Sequence, residues 1–125
     1  MLSAEQLRQG IVHYVETVNA RDPWAIAALF TEDGVQADPA SSPANVGRPA
    51  IAAFFEASVG ASDTWTFTAE RVHTCAPQVA LDFRIELVTN GTTMTIAGSE
   101  VFDFDDRGSI RSVHAYWDDA DVSVA

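Results

Sequence analysis

At 125 residues, 47% hydrophobic and 20% charged, the chain has the length of one domain and is too apolar for disorder. Seven basic against 18 acidic residues give a formal net charge of −11, which repels phosphate backbones and anionic headgroups and argues against nucleic-acid and membrane-surface roles. The lone Cys75 excludes an internal disulfide; with no window near 18 apolar residues and no signal layout in MLSAEQLRQG, a cytoplasmic location without a membrane span is the expectation.

Leu7, Ile11, Tyr14, Val15 and Val18 recur at helical spacing, with Glu5, Gln9, His13 and Glu16 on other sides. Residues 19–21 interrupt the pattern. Asp22 as N-cap and Pro23 at the first helical position restart it, with Ile26, Leu29 and Phe30 as the inward stripe. Residues 31–34 end that helix and 35–38 read as a short strand. Pro39 cannot donate to a ladder, so pairing should stop there. A loop spans 39–47, and a third helix starts at Arg48-Pro49, burying Ile51, Phe54 and Phe55.

Strands follow at 64–74, 79–88, 92–104 and 109–117. Val79, Leu81, Phe83, Ile85 and Leu87 alternate with polar neighbours and Ala80. Asn90-Gly91 signals a two-residue hairpin of the primed type, and 105–108 a second turn. Helices first and a meander of strands later predict an α+β domain, residues 1–125. Its three N-terminal helices pack in a curved, mostly antiparallel sheet that forms a cone-shaped pocket suited to a small apolar molecule.

Several chemistries are disfavoured by motif. His13, His73 and His114 lie far apart with no paired spacing, so no metal site is expected. Nucleotide-binding glycine motifs and a nucleophile elbow are missing. What remains is carboxylates, a tyrosine and an apolar hollow, a set suited to proton transfer on a carbonyl compound. Tyr14 lies on the helical apolar stripe, where it reads either as a core aromatic or as a site hydroxyl. Asp38 reads either as a turn carboxylate or as a base. In 94-MTIAGSEVFDF-104 a period of two puts Glu100 on the face of Met94, Ile96, Phe102 and Phe104. A carboxyl there must be paired, hydrogen-bonded or protonated, and Arg84 and Arg111 could reach it only from neighbouring strands.

The stretches 11-IVHYVETVNARDPWAIAALFTEDGVQADP-39 and 46-VGRPAIAAFFEAS-58, and more loosely 97-AGSEVFDFDDRGSIRSVHAYW-117, resemble the Δ5-3-ketosteroid isomerase family, within the cone-shaped folds similar to nuclear transport factor 2. Residues 58–96 match in pattern only. The resemblance implies that Tyr14 is an oxyanion-hole donor and Asp38 a proton-shuttling base. It places Glu100 where the family has a protonated aspartic acid, the type case of a carboxylic acid kept neutral at neutral pH. It places Phe30, Phe54, Phe55, Val101 and Trp117 among residues that pack substrate or line the pocket, with Phe55 where some members carry a tyrosine.

The implied activity is a cofactor-independent shift of a C=C bond into conjugation with the ketone of a steroid-like substrate. Polyketide cyclases and epoxide hydrolases of the same cone, or a non-catalytic pocket with Glu100 tied to an arginine, are the alternatives. A homodimer pairing sheet to sheet is expected, with Trp65, Phe67 or Val113 on the outer face. His114 and Tyr116 stand where the family is mostly apolar, so at least one should face away from the cavity.

Overall fold

The computed structural model describes residues 1–125. Helices α1 (Ala4–Asn19), α2 (Pro23–Ala27) and α3 (Arg48–Ala57) are interleaved with strands β1 (Phe30–Ala37) and β2 (Asn45–Val46). Strands β3 (Thr64–Cys75), β4 (Gln78–Thr89), β5 (Thr92–Phe104), β6 (Ile110–Tyr116) and β7 (Val122–Val124) follow. The sheet order is β2-β1-β6-β5-β4-β3, with β7 added to β5, and only β1 and β6 pair in parallel. The result is the α+β cone expected, a curved and unclosed sheet with helices inside it.

Local chemistry accounts for the helix starts. Ser3 and Gln6 form a capping box at the head of α1, and Leu7, Ile11, Tyr14 and Val18 are its buried stripe. The Trp24 and Ala25 N–H groups donate to Asp22 Oδ1 at the head of α2, with Pro23 in its first turn. The Asn19 amide brackets Phe67 in β3, donating to its carbonyl at 2.9 Å and accepting from its N–H at 2.7 Å. Arg21 donates to the carbonyl oxygens of Val59, Ser62 and Asp63 beyond α3. The Asn-Ala-Arg-Asp run of the resemblance is therefore a structural corner that ties α1 and α2 to β3 and to the end of α3.

Helix α2 and strands β1, β2 and β7 differ from the sequence reading. Helix α2 stops at Ala27, and Phe30 opens a strand instead of closing a helical stripe. The cause is long-range: Ile110 N–H donates to the Leu29 carbonyl and Phe30 pairs with Ile110 of β6, which takes this segment out of helical geometry. A bulge between Phe30 and Val35 absorbs the Thr-Glu-Asp-Gly stretch expected to end the helix. The loop 39–47 contains β2, whose two residues pair with Val35 and Gln36, and β7 returns to Met94, Thr95 and Ile96. Pairing along β1 does end immediately before Asp38-Pro39. At the β4–β5 hairpin both Asn90 (φ 50°) and Gly91 (φ 79°) adopt the left-handed conformation that a primed turn requires.

The inner sheet face and the helices share one core. Phe102, fully buried, meets Tyr14 edge-on at 5.0 Å between ring centroids and stacks on Phe104 at 6.0 Å. Phe102→Ala is expected to lower the unfolding free energy by about 3–5 kcal/mol. Urea denaturation checks this, and a loss below about 1 kcal/mol would show that the ring is not a keystone of the core.

The outer face is not what the dimer expectation assumed. Phe67 and Val113 are buried inside, and Trp65 lines the interior hollows described below. On β3 Trp65 and Phe67 alternate with Thr64, Thr66 and Thr68, and it is the threonines that face out. Val113 pairs with Phe102 and shares its inward direction.

Candidate active site

Tyr14 from the middle of α1, Asp38 just past β1 and Glu100 from β5 meet in one narrow throat. Its wall is completed by Val18, Phe54, Phe55, Ser58, Trp65, Phe67, Phe83 and Ile85, around a cavity of about 30 Å³. That volume is enough for a water-sized group. The throat shares Asp38, Phe54, Ser58, Trp65 and Ile85 with an outer hollow of about 290 Å³ that Pro39, Leu87, Ile96 and Trp117 complete. The outer hollow lies near the lower end of the roughly 300–1,000 Å³ range of small-molecule sites.

Glu100 sits on the inner face because Phe102 and Phe104 do, two and four residues on. Its cross-strand neighbours are Leu81 on β4 and Ala115 on β6, both buried. It is 4% exposed, and its Oε1 has no hydrogen-bond partner. Arg84 lies 3.4 Å from Glu86, and neither Arg84 nor Arg111 forms an ion pair with Glu100. Burial pushes the Glu100 carboxyl well above the ordinary glutamate value, and the nearby Asp38 charge adds to the rise.

This burial has a consequence for stability. Above the ordinary value of 4.5, the unfolded chain has released a proton that folded Glu100 still holds. The folded state then binds more protons, so stability is fully present below that value and falls as pH rises toward the folded pKa. Asp38, raised from 3.8, contributes in the same direction. Glu100→Gln is expected to flatten the decline, measured by urea unfolding from mildly acidic to mildly alkaline buffer. An unchanged pH slope in this variant would contradict the assignment.

Asp38 is half-buried, less enclosed than Glu100. The Trp117 indole Nε1 donates to Asp38 Oδ1 at 2.6 Å across 79 positions of sequence. Burial raises the Asp38 pKa, and the Trp117 hydrogen bond works against that rise by favouring the carboxylate. Tyr14 is 3% exposed, and burial, then the charges of Glu100 and Asp38, push its phenol well above the usual value. The throat therefore holds a phenol that keeps its proton, a carboxyl pushed well toward its neutral form and a second carboxyl whose rise through burial is opposed by an indole hydrogen bond.

The structure brings Tyr14, Asp38, Glu100, Phe54, Phe55 and Trp117 to the two hollows and leaves out Phe30 and Val101. Phe30 is fully buried at the end of β1 remote from Asp38 and lines neither hollow. Val101 follows Glu100, so strand alternation turns it to the outer face, level with Ala80 and His114. His114 shares that outward direction, and Tyr116 is 53% exposed, so both face away from the cavity. The wall residues Trp65, Phe67, Phe83 and Ile85 were not anticipated as lining. The alternation along β3 and β4 carried the signal, because it aligns Trp65 with Leu87 and Phe67 with Ile85 on one face.

Comparison with known proteins supports the reading of the fold. A family model described as a SnoaL-like domain matches residues 11–113. A steroid Delta-isomerase of Nocardioides simplex is 31% identical over 123 residues, covering 98% of both chains, which bears out the resemblance read from the residues. Among solved structures, the epoxide hydrolase/cyclase-like enzyme SalBIII, described in pyran ring formation of the polyether salinomycin, superposes with a TM-score of 0.92 at 25% identity over the whole of both chains. A Mycobacterium tuberculosis protein superposes with a TM-score of 0.89 at 19% identity, also over both full lengths. No helix is long and apolar enough to cross a membrane. Since the matched span takes in Tyr14, Asp38, Glu100 and nearly all of the sheet, the chain belongs to the SnoaL-like domain family.

Proposed function

We propose that the protein is a steroid Delta-isomerase that moves a C=C bond from the β,γ to the α,β position of a 3-ketosteroid without a cofactor. The observation that carries this reading is the meeting of the unpartnered Glu100 carboxyl, the Tyr14 hydroxyl and Asp38 on one throat at the end of an apolar hollow. Buried polar oxygens are seldom left unpaired, and a ligand oxygen in the throat supplies the missing partner.

In this mechanism ionised Asp38 removes a proton from the carbon between the ketone and the double bond. The C–H pair becomes the enolate π system, and negative charge collects on the former carbonyl oxygen. Tyr14 and neutral Glu100 each donate an O–H to that oxygen, stabilising the transition state more than the ground state. Protonated Asp38 then returns the proton two carbons along, the double bond settles into conjugation, and the enzyme is restored. Asp38 must be charged and Glu100 neutral, so their unlike surroundings fit the two roles. The Trp117 hydrogen bond favours the first condition, and the Leu81 and Ala115 surroundings of Glu100 favour the second.

The assay follows conjugated-enone absorbance after adding a β,γ-unsaturated 3-ketosteroid. A wild-type rate equal to buffer sinks the reading. The likeness to SalBIII at 25% identity favours a second reading, in which Asp38 takes the proton of a hydroxyl whose oxygen attacks an epoxide carbon. The epoxide C–O bond breaks, the freed oxygen takes the Glu100 proton, and transfer of the proton from Asp38 to Glu100 restores the pair. Turnover of hydroxy-epoxides with ketosteroids inert selects it. We also propose a cytoplasmic homodimer that pairs through the outer sheet face, where Val35, Val46, Val101 and Tyr116 lie. Sedimentation as a monomer at micromolar concentration would remove the dimer.

A further inference from the structure

Gly98 lies on the inner face of β5, two residues before Glu100 and directly opposite Phe83 of β4. It occupies the short gap on this edge of β5 between β6, whose pairing ends at Ser99 with Tyr116, and β7, whose pairing begins at Ile96 with Val122. Into this gap comes Trp117, the residue after β6. A Cβ added at Gly98 would stand 3.0 Å from Trp117 Cβ and 3.0 Å from Phe83 Cζ, and closer still to the Tyr116 carbonyl oxygen. The nearest obstacle is therefore backbone, which cannot swing aside as a side-chain tip can.

We propose that Gly98 is a positioning residue for the reaction: its missing side chain is what lets Trp117 pack against β5 with its indole N–H on Asp38. Phe83 has little room to yield, since its ring stacks on Phe67 at 5.8 Å and both line the throat. Upstream of Tyr116, the Ala115 carbonyl is held by the Ala40 N–H at 2.6 Å. Relief of a methyl at 98 therefore falls on the segment carrying Tyr116 and Trp117, pushing the indole off β5. A donor at 2.6 Å has little slack, so Asp38 Oδ1 loses its side-chain hydrogen bond. Glu100 and Tyr14, held by other neighbours, keep their places.

This proposal uses the isomerase reading for its kinetic arm and stands apart from it in its spectroscopic arm. In Gly98→Ala the Asp38 carboxyl, followed by carbon NMR without substrate, is expected to titrate at higher pH than in wild type, because a hydrogen bond to its charged form is gone. The acid limb of kcat/KM moves up in the same direction, and kcat falls by about 10- to 100-fold through the displaced base. Trp117→Phe should reproduce the shift. In the Trp117→Phe background, Gly98→Ala should move the Asp38 titration no further and change kcat by no more than about twofold.

An Asp38 titration in Gly98→Ala identical to wild type overturns the proposal, as does an undiminished effect of Gly98→Ala once the indole is gone. If Gly98→Ala alone does not fold, combining it with Phe83→Leu removes the ring contact and leaves the Tyr116 contact, so the same shift is expected there. A blank ketosteroid assay with a shifted Asp38 titration would reject the isomerase activity and uphold the role of Gly98.

Discussion

Asp38→Asn is expected to lower kcat for ketosteroid isomerisation by about 10²–10⁴-fold, the usual contribution of a positioned general base. The amide keeps the size of the side chain and cannot accept the substrate proton as a carboxylate does. It does retain an oxygen that can accept from Trp117 Nε1, 2.6 Å away in the present geometry, so the fold and the hollow should survive. KM should therefore change little, because the apolar wall of Phe54, Trp65, Ile85 and Trp117 is untouched. The comparison of kcat with KM is the informative measurement. A variant retaining more than about a tenth of the wild-type kcat would mean that another group takes the proton.

Glu100→Leu is expected to move activity and stability in opposite directions. On the proposed mechanism, loss of one oxyanion donor is expected to lower kcat by about 10²–10³-fold. Folding should gain about 1–3 kcal/mol, since a buried oxygen without a partner is replaced by an apolar group of similar size among Leu81, Phe102 and Ala115. Glu100→Gln keeps an N–H donor and should fall between Leu and wild type in rate. Tyr14→Phe removes the other donor and is expected to resemble Glu100→Leu in kcat.

The pH profile gives an independent check on the same carboxyls. On the proposed mechanism the rate is expected to rise as Asp38 loses its proton and to fall as Glu100 loses its own. Both pKa values are displaced upward by burial, Asp38 less so because it is less enclosed and Trp117 opposes the rise. Glu100→Gln should erase the alkaline fall that belongs to Glu100 and leave the acid limb in place. Glu100→Leu that neither slows the reaction nor stabilises the fold would overturn both the donor role of this carboxyl and the cost of burying its unpartnered oxygen.

The helix and strand assignments show how far local pattern reaches. Leu7, Ile11, Tyr14 and Val18 define a helix face because 3.6 residues complete a turn, and that face is the buried one. Period-two spacing from Phe102 and Phe104 puts Glu100 on the inner face, and its burial follows. Phe30 is the counterexample. Its local apolar spacing suits the end of a helix, yet pairing with Ile110, 80 positions away, makes it a strand residue. Local preference amounts to fractions of a kcal/mol per residue, and a place in a sheet outweighs it.

Sequence alone determined the three helices and the four long strands that follow them, the N-cap at Asp22, the Asn90-Gly91 hairpin and which residues share a face. Tertiary structure alone decided which face the helices cover. It put Trp65, Phe67 and Val113 inside, turned Val101 outward, and set Trp117 against Asp38. The physical reason is that periodicity is a property of neighbouring backbone dihedrals, whereas cavity walls and the hydrogen bonds across them join residues that meet only after the sheet has curved round the helices.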